Sequence, residues 1–151
     1  FNAFFAFFIM MVLALEAKAV DYELPDTNGT FQSLDQYKGK WLIVNYWATW
    51  CNTCMKELPE LIDFHNENTF GAAVVGINFE SIEQEKLKAF VDKKLIPYAV
   101  LSSEPVRQTP LGPVPALPAT YIIDPEGKVV AGEIGIVTRE DLESYIAQKE
   151  G

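Results

Sequence analysis

Apolar residues along the chain fall into runs whose spacing alternates between that of strands and that of helices. Residues 41–47 (WLIVNYW) and 72–78 (AAVVGIN) are nearly continuous apolar runs, which is typical of strands covered on both faces. Between them, apolar residues recur every three or four positions from Met55 onward, which predicts a helix. Pro59 lies inside this pattern, so we expect the helix to kink there.

Signals for a second helix and a third strand follow. Ser81 and Gln84 have the spacing of a capping box, so we expect a helix that begins at Ser81. Its predicted inner stripe consists of Leu87, Phe90, Val91 and Leu95. Residues 97–101 have the pattern of a short strand, and the five prolines between positions 104 and 118 exclude a regular helix there.

Turn sequences mark a β-hairpin near each end of the chain, at Asn28-Gly29 and at residues 124–127 (DPEG). The extended pieces that they join are residues 21–24 with 30–34, and 119–123 with 129–134. Thr138 is the expected N-cap of a last helix. The order β-hairpin, β, α, β, α, β, loop, β-hairpin, α predicts an α/β fold, with a mixed central sheet and helices on both faces.

Residues 1–19 differ from the rest of the chain. The stretch 1–15 (FNAFFAFFIMMVLAL) is apolar except for Asn2, but it is shorter than the roughly 20 residues of a membrane-spanning helix. Residues 17–19 (AKA) have the small-x-small pattern of a signal peptidase site. We therefore expect residues 1–19 to be a signal peptide or a membrane anchor, and residues 20–151 to form one exported domain.

Composition narrows the class of protein. The 151 residues contain 12 Lys and Arg against 21 Asp and Glu, a formal net charge of −9, which argues against binding to nucleic acid. Two cysteines are too few for a disulfide-rich scaffold or a four-cysteine zinc site. We expect no metal and no cofactor.

The two cysteines form a Cys-x-x-Cys motif, Cys51 and Cys54, between the first long strand and the helix that follows it. Free backbone N–H groups and the helix dipole stabilise a thiolate at such a position. Cys51 is therefore the expected nucleophile toward disulfides, and Cys54 the resolving thiol. The alternatives are a structural disulfide, a zinc site with His65, haem attachment, for which Met55 stands where His is needed, and an inert buried pair.

Residues 47–61 (WATWCNTCMKELPEL) and 116–130 (ALPATYIIDPEGKVV) resemble the thioredoxin superfamily, and most closely its exported branch of TlpA, ResA and CcmG. The resemblance implies a thioredoxin fold and thiol–disulfide oxidoreductase activity. It also implies that Pro118 follows a cis peptide bond, that Leu117 pairs with an extended substrate backbone, and that Trp50 offers an apolar docking surface.

The resemblance bears on proton transfer as well. Asn45 stands where cytosolic thioredoxin has a buried Asp, and an amide cannot accept a proton. Glu80, after the second long strand, is the expected proton acceptor for Cys54, with a solvated loop residue as the alternative. Glu57 belongs to the family motif, and a surface role and a catalytic role are both open for it.

The expected function is an exported reductase of specific periplasmic disulfides. By analogy with the family branch, the client is apocytochrome c, the electron donor is a membrane protein of the DsbD or CcdA type, and the protein is a monomer. A disulfide-forming oxidase or isomerase is the alternative enzyme. A redox-inactive binding module or metal chaperone is the alternative without redox activity. The proline-rich residues 104–116 either shape substrate choice or form a plain surface loop.

Overall fold

The computed structural model describes residues 20–151, so the predicted signal peptide or anchor lies outside the described residues. The strands are β1 (Glu23–Pro25), β2 (Phe31–Ser33), β3 (Leu42–Trp47), β4 (Ala73–Phe79), β5 (Ala99–Ser103), β6 (Gln108–Thr109), β7 (Gly112–Pro113), β8 (Ala119–Ile123) and β9 (Val129–Ile134). The α-helices are α1 (Asn52–Glu67), α2 (Gln84–Lys94) and α3 (Arg139–Glu150), and a 3₁₀ helix spans Leu34–Tyr37. Within residues 20–151 no helix has the length and apolarity needed to cross a membrane.

Five strands form the central sheet, in the order β5-β4-β3-β8-β9. The pairs β3–β4 and β4–β5 are parallel, whereas β3–β8 and β8–β9 are antiparallel. Asn45 in the middle of β3 lies opposite Gly76 on one side and Thr120 on the other. The predicted mixed sheet is therefore confirmed, and so is the N-terminal hairpin of β1 and β2.

All three α-helices pack on one face of the sheet. Alternate β3 residues that face this side, such as Ile43 and Trp47, share clusters with buried side chains of α1, α2 and α3. The prediction of helices on both faces is therefore wrong for the α-helices. The chain moves from β3 to β4 to β5 in a single direction, and two right-handed crossovers in the same direction place both helices on the same face.

The other face is covered by the N-terminal hairpin, the 3₁₀ helix and the proline-rich segment. Buried polar groups hold the proline-rich segment there. The hydroxyl of Tyr46 lies 3.0 Å from that of Thr109, and the hydroxyl of Tyr121 donates to the carbonyl of Pro113 at 2.5 Å. Residues 104–116 contain a small two-stranded ladder, β6–β7, and no helix, as the prolines predict.

The predicted helix starts are confirmed for α1 and α3 but not for α2. Cys51 and Thr138 are the N-caps of α1 and α3, and Thr138 forms a full capping box with Asp141. The N-cap of α2 is Glu83 rather than Ser81. The Gln84 side chain donates instead to the carbonyl of Thr27 in the hairpin turn, a tertiary contact that replaces the local cap.

The predicted inner stripe of α2 is correct for three of its four positions. Leu87 is buried and Phe90 and Val91 are half-buried, but Leu95 is 80% exposed. Leu95 adopts a left-handed conformation with φ 55° as the C-cap, so the helical period ends before it reaches the core.

Candidate active site

The two cysteines form a disulfide at the N-terminus of α1. Cys51 has extended backbone angles, and its sulfur accepts a hydrogen bond from the backbone N–H of Cys54 at 3.2 Å. The hydroxyl of Thr53 lies 3.3 Å from the same sulfur. A thiolate on Cys51 would therefore meet one backbone donor, one side-chain donor and the positive end of the helix dipole.

A groove of about 440 Å³ lies beside the disulfide. Trp50, which is 69% exposed, and Leu117 line it together with residues 114–116 of the proline-rich segment. The peptide bond between Leu117 and Pro118 is cis, and Pro118 is buried. The structure thus brings together the residues expected to contact substrate and places part of the proline-rich segment at the same groove.

Glu80 also lines this groove, but hydrogen bonds occupy both of its carboxylate oxygens. One oxygen accepts from the backbone N–H of Thr49 at 2.5 Å and from Nδ2 of Asn78 at 2.9 Å. The other accepts from the hydroxyl of Thr49 at 2.7 Å. In the described chain Glu80 makes no hydrogen bond to either cysteine. These contacts fix the segment that leads into Cys51, and the role of Glu80 as proton acceptor stays a prediction.

Glu57 is fully buried, so the surface role considered for it is wrong. Its Oε1 accepts a hydrogen bond from Nδ2 of Asn45 at 2.6 Å, and its Oε2 accepts one from the backbone N–H of Val137 at 2.8 Å. Burial raises the pKa of Glu57 to about 7, although the hydrogen bonds from Val137 and Asn45 favour its charged form. The carboxyl group therefore exchanges a proton near neutral pH.

The buried acidic residue of this site is Glu57 on helix α1, whereas strand β3 carries an amide, Asn45. Asn45 in β3 donates to Glu57 and, at 3.1 Å, to the hydroxyl of Thr120. Burial and, to a smaller extent, the charge of Glu57 raise the pKa of Tyr98. Asn45 thus supplies a donor to the acid.

Helical spacing already contains the signal for the burial of Glu57. Cys54, Glu57, Leu61 and Phe64 are the buried residues of α1, and their spacing of three or four positions defines one face of a helix. Glu57 lies three residues after Cys54, one turn along this face.

In the part of the chain that the structure describes, no group of three or more Cys, His, Asp and Glu could hold a metal ion.

Known proteins share this fold. A putative thiol:disulfide interchange protein DsbE from Chlorobium tepidum matches with a TM-score of 0.75 at 28% identity, over 89% of this chain and 96% of that one. A secreted thiol-disulfide isomerase from Corynebacterium glutamicum matches with a TM-score of 0.75 at 26% identity, over 84% of this chain and 81% of that one.

Curated relatives agree with the structural neighbours. The thioredoxin-like protein YneN of Bacillus subtilis (strain 168) is 31% identical over 131 residues, 85% of this chain and 76% of the relative. The thiol-disulfide oxidoreductase ResA of the same strain is 30% identical over 131 residues, 85% of this chain and 72% of the relative.

The fold, the cysteine pair at the helix N-terminus and these relatives define a thiol–disulfide oxidoreductase with a thioredoxin fold. The model of the AhpC/TSA family matches residues 15–131. The chain belongs to this family.

Replacing Glu57 with Gln should change how stability depends on pH. The folded protein holds the Glu57 proton up to about pH 7, whereas the ordinary pKa is 4.5. Because the folded state binds more protons in this window, the free energy of unfolding falls as pH rises through it. The loss is roughly 3 kcal/mol, at about 1.4 kcal/mol per pKa unit.

Urea unfolding of the oxidised protein between about pH 4 and pH 8 measures this change. We expect the wild-type curve to fall by this amount relative to the curve of Glu57→Gln. Parallel curves for the two proteins would show that the buried carboxyl does not titrate in this range.

The Thr53 hydroxyl should control the reactivity of Cys51 in the reduced protein. Thr53→Val removes the donor that lies 3.3 Å from the sulfur, and Thr53→Ser keeps it. We expect Thr53→Val to slow alkylation of Cys51 by iodoacetamide at neutral pH about fivefold, the equivalent of a hydrogen bond worth about 1 kcal/mol. Mass spectrometry in a Cys54→Ser background measures the rate, and equal rates in the Val and Ser variants would contradict the assignment.

Proposed function

We propose that the protein is an exported reductase of specific protein disulfides outside the cytoplasm. The observation that carries this proposal is the position of the Cys51 sulfur as the N-cap of α1, 3.2 Å from the Cys54 N–H and next to an apolar groove. A thiolate is the form that attacks disulfides, and this position favours it. The structural neighbour from Corynebacterium glutamicum is named as secreted, which supports export.

The reaction begins with the reduced protein. The Cys51 thiolate attacks one sulfur of a client disulfide, and the other client sulfur leaves as a thiolate that takes up a proton. Cys54 then loses its proton and attacks the Cys51 sulfur, which releases the second client thiolate and forms the Cys51–Cys54 disulfide. Two electrons pass from the protein to the client, and a separate donor must return two.

Glu57 is the residue best placed to handle the proton of Cys54. It lies one helical turn beyond Cys54 on the same buried face of α1, and its pKa of about 7 suits exchange near neutral pH. Glu80 is the second candidate, but it follows β4 and is not on the buried face of α1 that carries Cys54, and its oxygens accept from Thr49 and Asn78. Glu57 therefore takes this role, while Glu80 positions the residues that precede Cys51.

The client we propose is apocytochrome c, and the electron donor is a membrane protein of the DsbD or CcdA type. This choice rests on the resemblance of residues 47–61 and 116–130 to the exported branch of the superfamily, and the relatives named as a thiol-disulfide oxidoreductase and a thiol:disulfide interchange protein support the disulfide chemistry. The groove beside the disulfide carries Glu80, and Ser81 at its edge bonds Glu104. Carboxylates at this position, together with a net charge of −9, favour a client segment with basic residues. The protein acts as a monomer.

A trapping experiment tests the nucleophile and the client together. Reduced Cys54→Ser protein is mixed with apocytochrome c that carries the disulfide of its haem-binding Cys-x-x-Cys-His motif. We expect a mixed disulfide through Cys51, which persists because Cys54 is missing, and mass spectrometry identifies the linked cysteines. Oxidised insulin serves as an unspecific disulfide of equal concentration and should be trapped far more slowly.

Cys51→Ser is the matched control and should form no adduct. An adduct of equal yield in this variant would contradict the role of Cys51 as nucleophile. Equal trapping rates for insulin and apocytochrome c would contradict a specific reductase, although the thiol–disulfide chemistry would remain.

A disulfide-forming oxidase or isomerase is the second candidate, because one structural neighbour is named a thiol-disulfide isomerase. The midpoint potential separates the two functions. A value near that of thioredoxin, about −270 mV, supports a reductase, whereas a value toward that of DsbA, about −120 mV, supports an oxidase. Equilibration of the Cys51–Cys54 pair with glutathione buffers of known ratio measures it.

A further inference from the structure

A second cavity lies between α3 and the β8–β9 hairpin, with a volume of about 340 Å³. It is large enough for several water molecules, each of which occupies about 30 Å³ in the liquid. Its walls carry polar groups as well as apolar ones, including the exposed carboxylates of Glu133 and Asp141 and the hydroxyl of Tyr145. Among the described residues, this cavity and the groove at the disulfide share no lining residue.

Residues that hold Glu57 form the inner wall of this cavity. Val137, whose N–H donates to Oε2 of Glu57, lines it. Thr120 also lines it, and the Thr120 hydroxyl accepts from the Asn45 amide that donates to Oε1 of Glu57. The carboxyl group is fully buried, and Val137 connects it directly to the wall of a polar cavity.

A buried acid that gains and loses a proton in each cycle needs a path to water. The groove beside Trp50 and Leu117 is the docking surface in the proposed function, and a docked client would cover it. The cavity at α3 would remain open while that groove is occupied.

We propose that the cavity between α3 and the β8–β9 hairpin is the proton port of the active site, through which water exchanges protons with Glu57 past Thr120. The inference rests on the proton role that the proposed function gives to Glu57. In the step itself the O–H bond of the Glu57 carboxyl breaks and a new O–H bond forms on a water molecule that enters from the cavity, which leaves a carboxylate on Glu57 and a hydronium ion that returns to the cavity. No electron is transferred, and in the reverse step the Glu57 carboxylate takes up a proton from water.

The titratable groups around Glu57 favour transfer of its proton toward the cavity. The titratable groups on the protein side are Cys54, one turn earlier on the same buried face of α1, and Tyr98 just before β5, whose pKa is raised by burial and by the charge of Glu57. On the cavity side the titratable groups are Glu133 on β9 and Asp141 and Tyr145 on α3. Carboxylates near the opening attract a proton that leaves, whereas Tyr98 cannot accept one.

Proton exchange at Glu57 can be observed directly by infrared spectroscopy of the full protein. The C=O stretch of the protonated carboxyl is identified as the band that disappears in Glu57→Gln. After rapid mixing with D₂O below pH 7, this band shifts as the proton is replaced by a deuteron. Ala131 lines the cavity, so Ala131→Leu should reduce its volume and slow the shift at least tenfold.

Matched variants separate blocking of the cavity from general effects. Val130→Leu enlarges the neighbouring exposed side chain outside the cavity lining and should leave the rate unchanged. Thr120→Val removes the hydroxyl from the inner wall and should slow the shift, whereas Thr120→Ser keeps the hydroxyl and should not. This second pair gives a result even if Ala131→Leu fails to fold.

The outcomes distinguish the port from the function on which it rests. If the carboxyl band is present but exchanges equally fast in the wild type, Ala131→Leu and Thr120→Val, the port is overturned and the proton role of Glu57 stands. If no band disappears in Glu57→Gln, Glu57 holds no proton, and both the port and that role are overturned. The trapping of clients by Cys51 is independent of either result.

Discussion

The carboxylate of Glu57 is the group around which the active-site half of the molecule is arranged. A fully buried carboxylate is costly unless donors reach it, and its two donors come from different parts of the chain, Asn45 in β3 and Val137 before α3. These bonds tie α1 to the central strand and to the last helix. Because Cys54 lies one turn earlier on α1, the same bonds also fix the helix start that carries the redox pair.

Sheet topology determines what can reach the disulfide. Both crossovers move in the same direction, from β3 to β4 to β5, so the three α-helices share one face. The opposite face is left to the hairpin and to the proline-rich residues 104–116, which buried hydroxyls of Tyr46 and Tyr121 hold in place. As a result, a segment without helix forms one wall of the groove beside Trp50.

Sequence motifs that span only a few residues correctly predicted the features that depend on contacts between neighbouring residues. The pair at Cys51 and Cys54, the β8–β9 hairpin and the cap at Thr138 all followed from motifs within a few residues. The start of α2 did not, because Gln84 bonds the distant Thr27 instead of capping its own helix. The burial of Glu57 agrees with the helical spacing of Cys54, Leu61 and Phe64, but its hydrogen-bond donors are 12 and 80 positions away, so no local pattern predicts them.

Electron transfer to the client and proton exchange with water take place on different sides of the active site. Trp50, which precedes Cys51, lines the groove together with Leu117 and the proline-rich segment, where a second protein can dock. The acid lies on the helical face of the sheet, and one of its two donors, Val137, lines a separate cavity. A site with one opening would have to release its proton through the client interface. Because the acid is on α1 rather than on β3, Asn45 in the strand is free to act as its donor and also bonds Thr120, which lines the cavity.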